Sequence, residues 1–317
     1  MSPLRPAAKG VLAMVGASAI WGLSSMYYKL LAHVPPLEVL SHRTIWSLVF
    51  FGLVLALQGR LAELWRLFGQ ARALWLVAAA AVMISTNWFF FIYAIQIGHA
   101  VEASLGYYIF PLVAVALGFA VLGERPSALQ WGAVGLAAVA VGALTWGLGV
   151  APWMSLALAG TFALYGLAKR GVPAGPVVSV TAEVVLLLPL ALVWLWGVHV
   201  AGWPGLTGRA LGAFGQDLGD SLLLVFSGPL TAVPLMLFSY ATKRVDFATV
   251  GLVMYLNPTL QVLVATLVFR EPFTGWHILA FALIWTALAL YSAESLRLDR
   301  ASRRSSISAG TSDTMRT

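Results

Sequence analysis

"FFIYAIQIGHAVEASLGYYIFPLVAVALGFAVLGERP" (residues 90–126) and "LFSYATKRVDFATVGLVMYLNPTLQVLVATLVFREPF" (237–273) align without a gap at an offset of 147. The offset pairs Phe91 with Phe238, Tyr93 with Tyr240 and Ala94 with Ala241. It also pairs Leu105 with Leu252, Tyr108 with Tyr255, Pro111 with Pro258 and Glu124 with Glu271. Leu and Ala matches are cheap between apolar segments. Two tyrosines, a proline and a glutamate at one constant offset are not, and they mark an internal duplication. A weaker match, "SAIWG" (18–22) with "FALYG" (162–166), extends it toward the start of each half.

The composition says what solvent surrounds the duplicated unit. A soluble domain is about half apolar and a quarter charged; this chain of 317 residues is 60% hydrophobic and 10% charged, with mean hydropathy +0.88. So few charges cannot clothe a water-soluble surface. Apolar runs fall at about 10–32, 36–57, 74–97, 101–122, 128–148, 153–168, 176–199, 221–242, 247–269 and 275–294, most near the roughly 20 residues that cross a bilayer as a helix. They predict an all-α polytopic membrane protein of ten transmembrane helices. The first run is too long for a signal-peptide core and lacks a small-residue cleavage site, so it reads as an uncleaved first helix. Cysteine is absent, which excludes disulfides, thiolate metal sites and cysteine nucleophiles.

Orientation follows from Lys and Arg. With the N-terminus cytoplasmic and sides alternating, fifteen of these residues lie inside, three (Lys29, Arg209, Arg270) lie outside, and Arg43 lies within a span. That asymmetry obeys the positive-inside rule and makes both termini cytoplasmic. Five spans per repeat is odd, so the second half enters the membrane inverted. The expected units are 1–148 and 149–296, two inverted five-helix repeats. A Ser- and Arg-rich tail, 297–317, reads as disordered, basic and cytoplasmic. Inverted repeats are a recurring plan of secondary transporters, with substrate held near midplane between the halves.

Two repeats that each carry a Tyr-x-x-Pro helix running into "LGERP" (122–126) or "FREPF" (269–273) resemble the drug/metabolite transporter superfamily and its EamA repeats. "HRTIWS" (42–47), "NWFFFIYAI" (87–95), "EASLGYYIFPL" (102–112) and "LLPLALVWL" (187–195) are similar to the RarD branch, which carries the name chloramphenicol-sensitive protein. The resemblance covers nearly the whole chain before about residue 296. It implies a ten-helix inner-membrane transporter of small metabolites or drugs and names no substrate.

Ionisable groups inside spans are costly and mark function by default. Arg43 lies about 10 Å into span 2 at 1.5 Å per residue. It either lines a cavity or snorkels to the interface. Glu183 is its counterpart, since Pro36 and Pro176 each lead their charged residue by seven. The two lie about 10 Å apart along the normal of a core about 30 Å thick, too far for a ready ion pair. A buried carboxyl that takes up a proton suits coupling to a proton gradient, and His42 is read as tuning that neighbourhood or as polar packing. Glu38 and Glu102 are expected to be solvated at span ends.

In span 4, Ser104, Tyr108 and Pro111 share a face; Gly251, Tyr255 and Pro258 repeat it in span 9, with Asn257 beside it. Pro111 and Pro258 free backbone carbonyls toward a cavity or a neighbour. Trp21, Asn87 and Trp88 complete the expected lining. The alternatives are lipid contact for the tryptophans and interhelical hydrogen bonding for Asn87 and Asn257. The Ala133/Ala137 and Ala138/Gly142 spacings in span 5 suit close helix packing, within the chain or in a homodimer.

No GxxxxGK[ST] surrounds any of the four lysines, and neither HExxH nor GxSxG occurs, so no ATP-driven motor, hydrolase, cofactor or metal is expected. Nothing in the tail resembles a nucleic-acid-binding module. The sequence therefore predicts a secondary transporter working by alternating access, an exporter with small solutes, lipid and protons as partners. Amino acids suit the aromatic lining. Uncoupled facilitation, a channel, and a membrane scaffold or sensor are the alternatives.

Overall fold

Backbone N–H and C=O groups have no water to bond in lipid, so a chain this apolar must satisfy them within helices. The computed structural model describes residues 6–149, 151–203, 212–242, 244–245 and 247–314, and no β-strand occurs among them. The helices are α1 (Pro6–Leu30), α2 (Pro36–Leu57), α3 (Leu61–Phe68), α4 (Ala71–Ile97), α5 (Ala100–Leu122) and α6 (Ala128–Leu148). They continue with α7 (Trp153–Arg170), α8 (Pro176–His199), α9 (Leu218–Thr242), α10 (Phe247–Met254), α11 (Leu256–Leu263) and α12 (Gly275–Thr314).

Among the described residues, eight helices are long and apolar enough to cross a membrane: Ala8–Leu30, α2, α4, α5, α6, α8, α9 and Gly275–Glu294 of α12. The chain is a multi-pass membrane protein. The other two expected spans take different forms. The sixth is α7, of 18 residues, ending in Lys169 and Arg170. The ninth is divided into α10, α11 and a π-helical turn, Val264–Val268. The division has a local cause, because the ring of Pro258 excludes the carbonyl four residues earlier, at Met254. The helix is interrupted at Tyr255 between them. Two further departures are α3, a short amphipathic helix burying Leu64 and Leu67, and the tail. Where disorder was expected after residue 296, the α12 backbone stays helical to Thr314; no proline interrupts that stretch.

The connectors gather at two ends of the bundle. At one end, Glu124 pairs with Arg170 at 2.6 Å and Gly10 abuts Val245. At the other, His33 meets Asp220 at 2.7 Å, the Ser155 hydroxyl donates to the Glu102 carbonyl at 2.7 Å, and the Glu271 carboxylate meets the start of α5. Between the ends, α1 packs on α9 and α11, α7 on α4 and α5, α2 on α8, and α6 on α12. Close crossings need small residues. A Cβ on Gly106 would stand 2.8 Å from the Ser155 carbonyl oxygen, and one on Gly228 2.5 Å from that of Trp46. Ala133, Ala137, Ala140 and Leu144 bury against Ala280, Ile284, Ala287 and Leu288 of α12, so the first small-residue spacing of span 5 serves intramolecular packing. Ala138 and Gly142 face outward.

Two turns at the offset of 147 share their backbone geometry. Glu124 N–H donates to the Gly118 carbonyl at 3.1 Å, and Glu271 N–H to the Ala265 carbonyl at 3.0 Å, equivalent residues at the offset of 147. Gly123 and Arg270, also equivalent, both adopt left-handed φ, +66° and +55°. Arg270 is the only non-glycine residue with positive φ among those described, in a conformation that disfavours side chains. The same turn geometry thus recurs at both places.

Candidate functional site

Pro36 opens α2 with its φ preset for a helix, which brings His42 and Arg43 two turns inside. Arg43 is 7% exposed. Its Nη1 donates to the Tyr28 hydroxyl at 2.7 Å. Its guanidinium carbon sits 3.9 Å from the centroid of a Trp88 ring and 5.8 Å from that of Tyr28. Such a cation over an aromatic face, once desolvated, gains about 2 kcal/mol. The snorkelling reading fails: α1 and α4 hold this side chain inside the bundle. Among the described residues no carboxylate lies at ion-pair distance from it, and its Nε is buried without a hydrogen-bond partner.

Glu183, 1% exposed on α8, is compensated where Arg43 is not. Its Oε1 accepts from Lys169 Nζ at 2.6 Å and from the Ser179 hydroxyl at 3.2 Å, and its Oε2 accepts from the Tyr165 hydroxyl at 3.3 Å. Lys169 also donates to Ser179 at 2.5 Å. Arg43 and Glu183 thus have separate partners, as their depths required, and of the partner, cavity or proton open to Glu183 the structure shows a partner, Lys169.

A file of rings joins the two charged centres. Tyr28 meets Phe91 at 5.8 Å, Phe91 meets Tyr107 at 5.8 Å, Tyr107 meets Phe162 at 5.8 Å and Phe162 meets Tyr165 at 5.9 Å between centroids. Tyr28 ends on Arg43 and Tyr165 ends on Glu183. Trp88, Tyr107, Phe162 and Tyr165 are partly exposed, so the file is not sealed in the core.

The other expected residues divide between the two halves of the molecule. Asn87, 1% exposed, donates to the Leu158 carbonyl at 2.9 Å and the Thr161 hydroxyl at 3.0 Å, and accepts from Tyr107 at 3.0 Å. It ties α4, α5 and α7 together. Tyr108 turns away from Arg43. Its hydroxyl bonds Thr259 Oγ1 at 2.5 Å, and its ring lies 6.5 Å from Tyr255 and 6.1 Å from Trp285. Asn257 accepts from Gln261 at 2.9 Å, Pro258 is buried at the α10–α11 break, and Pro111 lies inside α5. Trp21 stands 6.1 Å from Phe238, away from Arg43's partners. His42 is buried and stacks on Phe214.

Glu38 corrects the sequence reading. It is 0% exposed and accepts from the Gly212 and Phe214 N–H groups at 3.1 and 3.4 Å, because the segment before α9 folds over the start of α2. Glu102 keeps partial exposure beside His99, at 2.6 Å. A cleft of about 370 Å³ between α2, α4 and α8, lined by Leu40, Thr44, Ser85, Leu187 and Trp194, includes none of the expected cavity residues.

Sequence reasoning missed Tyr28, Tyr107, Tyr165 and Lys169. Tyr107 had a signal: it lies beside the chosen Tyr108 and points to the other side of α5. Lys169 was counted with the cytoplasmic charges because it ends an apolar run.

Many apolar helices around a buried cation without a carboxylate partner among the described residues, a buried ion pair and an aromatic file between them describe a polytopic membrane protein. Residues 8–146 match the EamA-like transporter family. The chain is 41% identical to an uncharacterized transporter of Pseudomonas aeruginosa over 91% of this chain and 95% of that one. It is 40% identical to protein RarD of Streptomyces exfoliatus over 93% and 91%, and 35% identical to protein RarD of Escherichia coli over 92% and 96%. A solved crystal structure shares the fold, with TM-score 0.56 at 18% identity over 89% of this chain and 96% of that one. The chain belongs to the drug/metabolite transporter superfamily, in its RarD branch.

Proposed function

We propose that the protein is a secondary transporter of the bacterial inner membrane that exports small carboxylate-bearing solutes, amino acids among them, by alternating access. It crosses the bilayer ten times as two inverted five-helix repeats with both termini cytoplasmic. The equivalent turns at Gly118–Glu124 and Ala265–Glu271 support the duplication. The helix neighbours support it too, because exchanging the halves turns the α1–α9 contact into α7–α4 and α1–α11 into α7–α5.

One observation carries the substrate class: Arg43 is buried with no carboxylate partner among the described residues. An uncompensated charge in a dry interior is costly, and a bound carboxylate supplies the missing opposite charge through charge-assisted hydrogen bonds. The rings of Trp88, Tyr107 and Phe162 then face the rest of the solute. In reconstituted vesicles, counterflow of radiolabelled amino and carboxylic acids should saturate, and amines of matched size that lack the carboxylate should not compete. Competition by those amines, or flux that never saturates, would overturn the reading.

Glu183 with Lys169 is the coupling element. A proton on Glu183 dissolves its ion pair with Lys169 and loosens α7 from α8, which links protonation to helix movement. A second reading, uncoupled facilitation, draws on the same cluster: Lys169, Ser179 and Tyr165 already satisfy this carboxylate. An imposed pH gradient separates the two, since only the coupled carrier accumulates solute against its own gradient.

A further inference from the structure

Apart from the Arg43 pocket, three potential metal ligands meet where the start of α2 faces the end of α8. Glu38 and His42 lie one helical turn apart on α2, and His199 is the last residue of α8. One ligand atom of each lies within 4.8 Å of those of the other two, and Glu38 Oε1 is 3.8 Å from His199 Nε2. His42 is 5% exposed, and its Nε2 is buried with no hydrogen-bond partner among the described residues. The His199 side chain is 32% exposed, which leaves the cluster a route to water.

We propose that Glu38, His42 and His199 form a binding site for a divalent transition metal, Zn²⁺ foremost. Two imidazoles and a carboxylate are a set that zinc accepts with a water in its fourth position. Calcium and magnesium prefer oxygen alone. Ligand atoms around a tetrahedral zinc stand about 3.3–3.5 Å apart, given bonds of about 2.0–2.2 Å, so small side-chain adjustments close the cluster. The Glu38 carboxylate is already oriented by the Gly212 and Phe214 N–H groups, and the His42 ring by stacking on Phe214 at 4.6 Å. Such outer contacts fix metal ligands. A proton shared between His199 and Glu38 would account for two of the three groups; the metal also accounts for the buried, unpartnered His42. The bound ion ties α2 and α8, which carry Arg43 and Glu183, to the segment before α9.

The test is calorimetric titration of the detergent-solubilised full chain, with any affinity tag removed, using Zn²⁺ alone. One saturable high-affinity site per chain is expected. His199→Ala and His42→Phe, the latter keeping a ring against Phe214, should each weaken it at least tenfold. The double variant His33→Ala/His99→Ala, which removes the other two histidine–carboxylate pairs, should leave it unchanged. Co²⁺ in place of Zn²⁺ should give the visible absorption of a four-coordinate ion, lost in His199→Ala. If His42→Phe fails to fold, His199→Ala alone decides, because that side chain is partly solvated. No saturable Zn²⁺ binding by the intact chain, equal affinity in His199→Ala, or loss in His33→Ala/His99→Ala would overturn the proposal.

Discussion

Arg43 is held by a phenol oxygen and an indole face, contacts that depend on a planar, forked cation. A lysine keeps the charge but neither stacks in that way nor offers paired donors. Arg43→Lys should therefore lower transport at least tenfold at equal expression, and Arg43→Leu should abolish it while still inserting; initial rates in vesicles check both. Lys serving as well as Arg would show that charge alone matters there. Glu183→Gln retains hydrogen bonding toward Ser179 and Tyr165 but leaves Lys169 without its counter-ion. Breaking a buried pair from one side costs about 3–5 kcal/mol, so thermal unfolding should shift downward. The double replacement Lys169→Met/Glu183→Gln should recover most of that loss. If Glu183 couples transport, accumulation driven by a pH gradient disappears in both variants, whereas the double variant accumulates normally if the pair is only structural. Arg43, Trp88 and Glu183 stood out in the sequence because charge and indole are conspicuous inside apolar runs. The phenols of Tyr28 and Tyr165 did not, since their role comes from which turn faces a neighbouring helix, and one-dimensional spacing cannot supply that.

Glu271 and Glu124 end equivalent helices, yet they bond differently. The Glu271 carboxylate accepts from the Ala100 and Val101 N–H groups at 2.9 and 2.8 Å, capping the positive end of α5. Glu124 instead meets Arg170 at 2.6 Å, both side chains well exposed. Two like parts in unlike states are what the proposed inverted-repeat carrier needs, one end latched while the other is released. Glu271→Ala should free the start of α5, worth about 0.5–2 kcal/mol as a lost N-terminal helix cap. Labelling of a cysteine placed at Ala100 should accelerate about tenfold, and Glu124→Ala should leave it unchanged. Unaltered labelling in Glu271→Ala would remove the latch from the mechanism. The glutamates were legible as a repeated pair, but their partners were not, because a constant offset gives equivalence and the asymmetry lies in the conformation adopted. The break at Tyr255 was half legible: Pro258 announced a disturbed helix, and the structure places the interruption three residues earlier, where the proline ring and the Met254 carbonyl compete for space.

The apolar runs and their connectors had already divided the chain at nearly the boundaries observed, because lipid leaves a backbone few alternatives to helix. Sidedness is the property that charge counting predicts and that the contacts now make testable. Glu124 and Arg170 share one end of the bundle, and Asp220 and His33 share the other. Lys169 is unsuitable as a reporter, since it is buried against Glu183. Exposed Arg66, Arg170 and Gln216 are suitable, and the absence of native cysteine makes each single replacement clean. In intact cells a membrane-impermeant maleimide should label a cysteine at Gln216 and spare those at Arg66 and Arg170 until the membrane is opened. The Arg66 and Arg170 positions flank α4, α5, α6 and α7, so their common protection requires an even number of crossings between them. Counting those four helices gives an even number of passes, which returns the chain to its starting side. The even count from Arg66 to Arg170 and the odd count from Arg170 to Gln216, through α8 alone, are therefore one combined requirement. Labelling of the Arg170 and Gln216 positions from the same side would break it, and with it the inverted arrangement of the two halves.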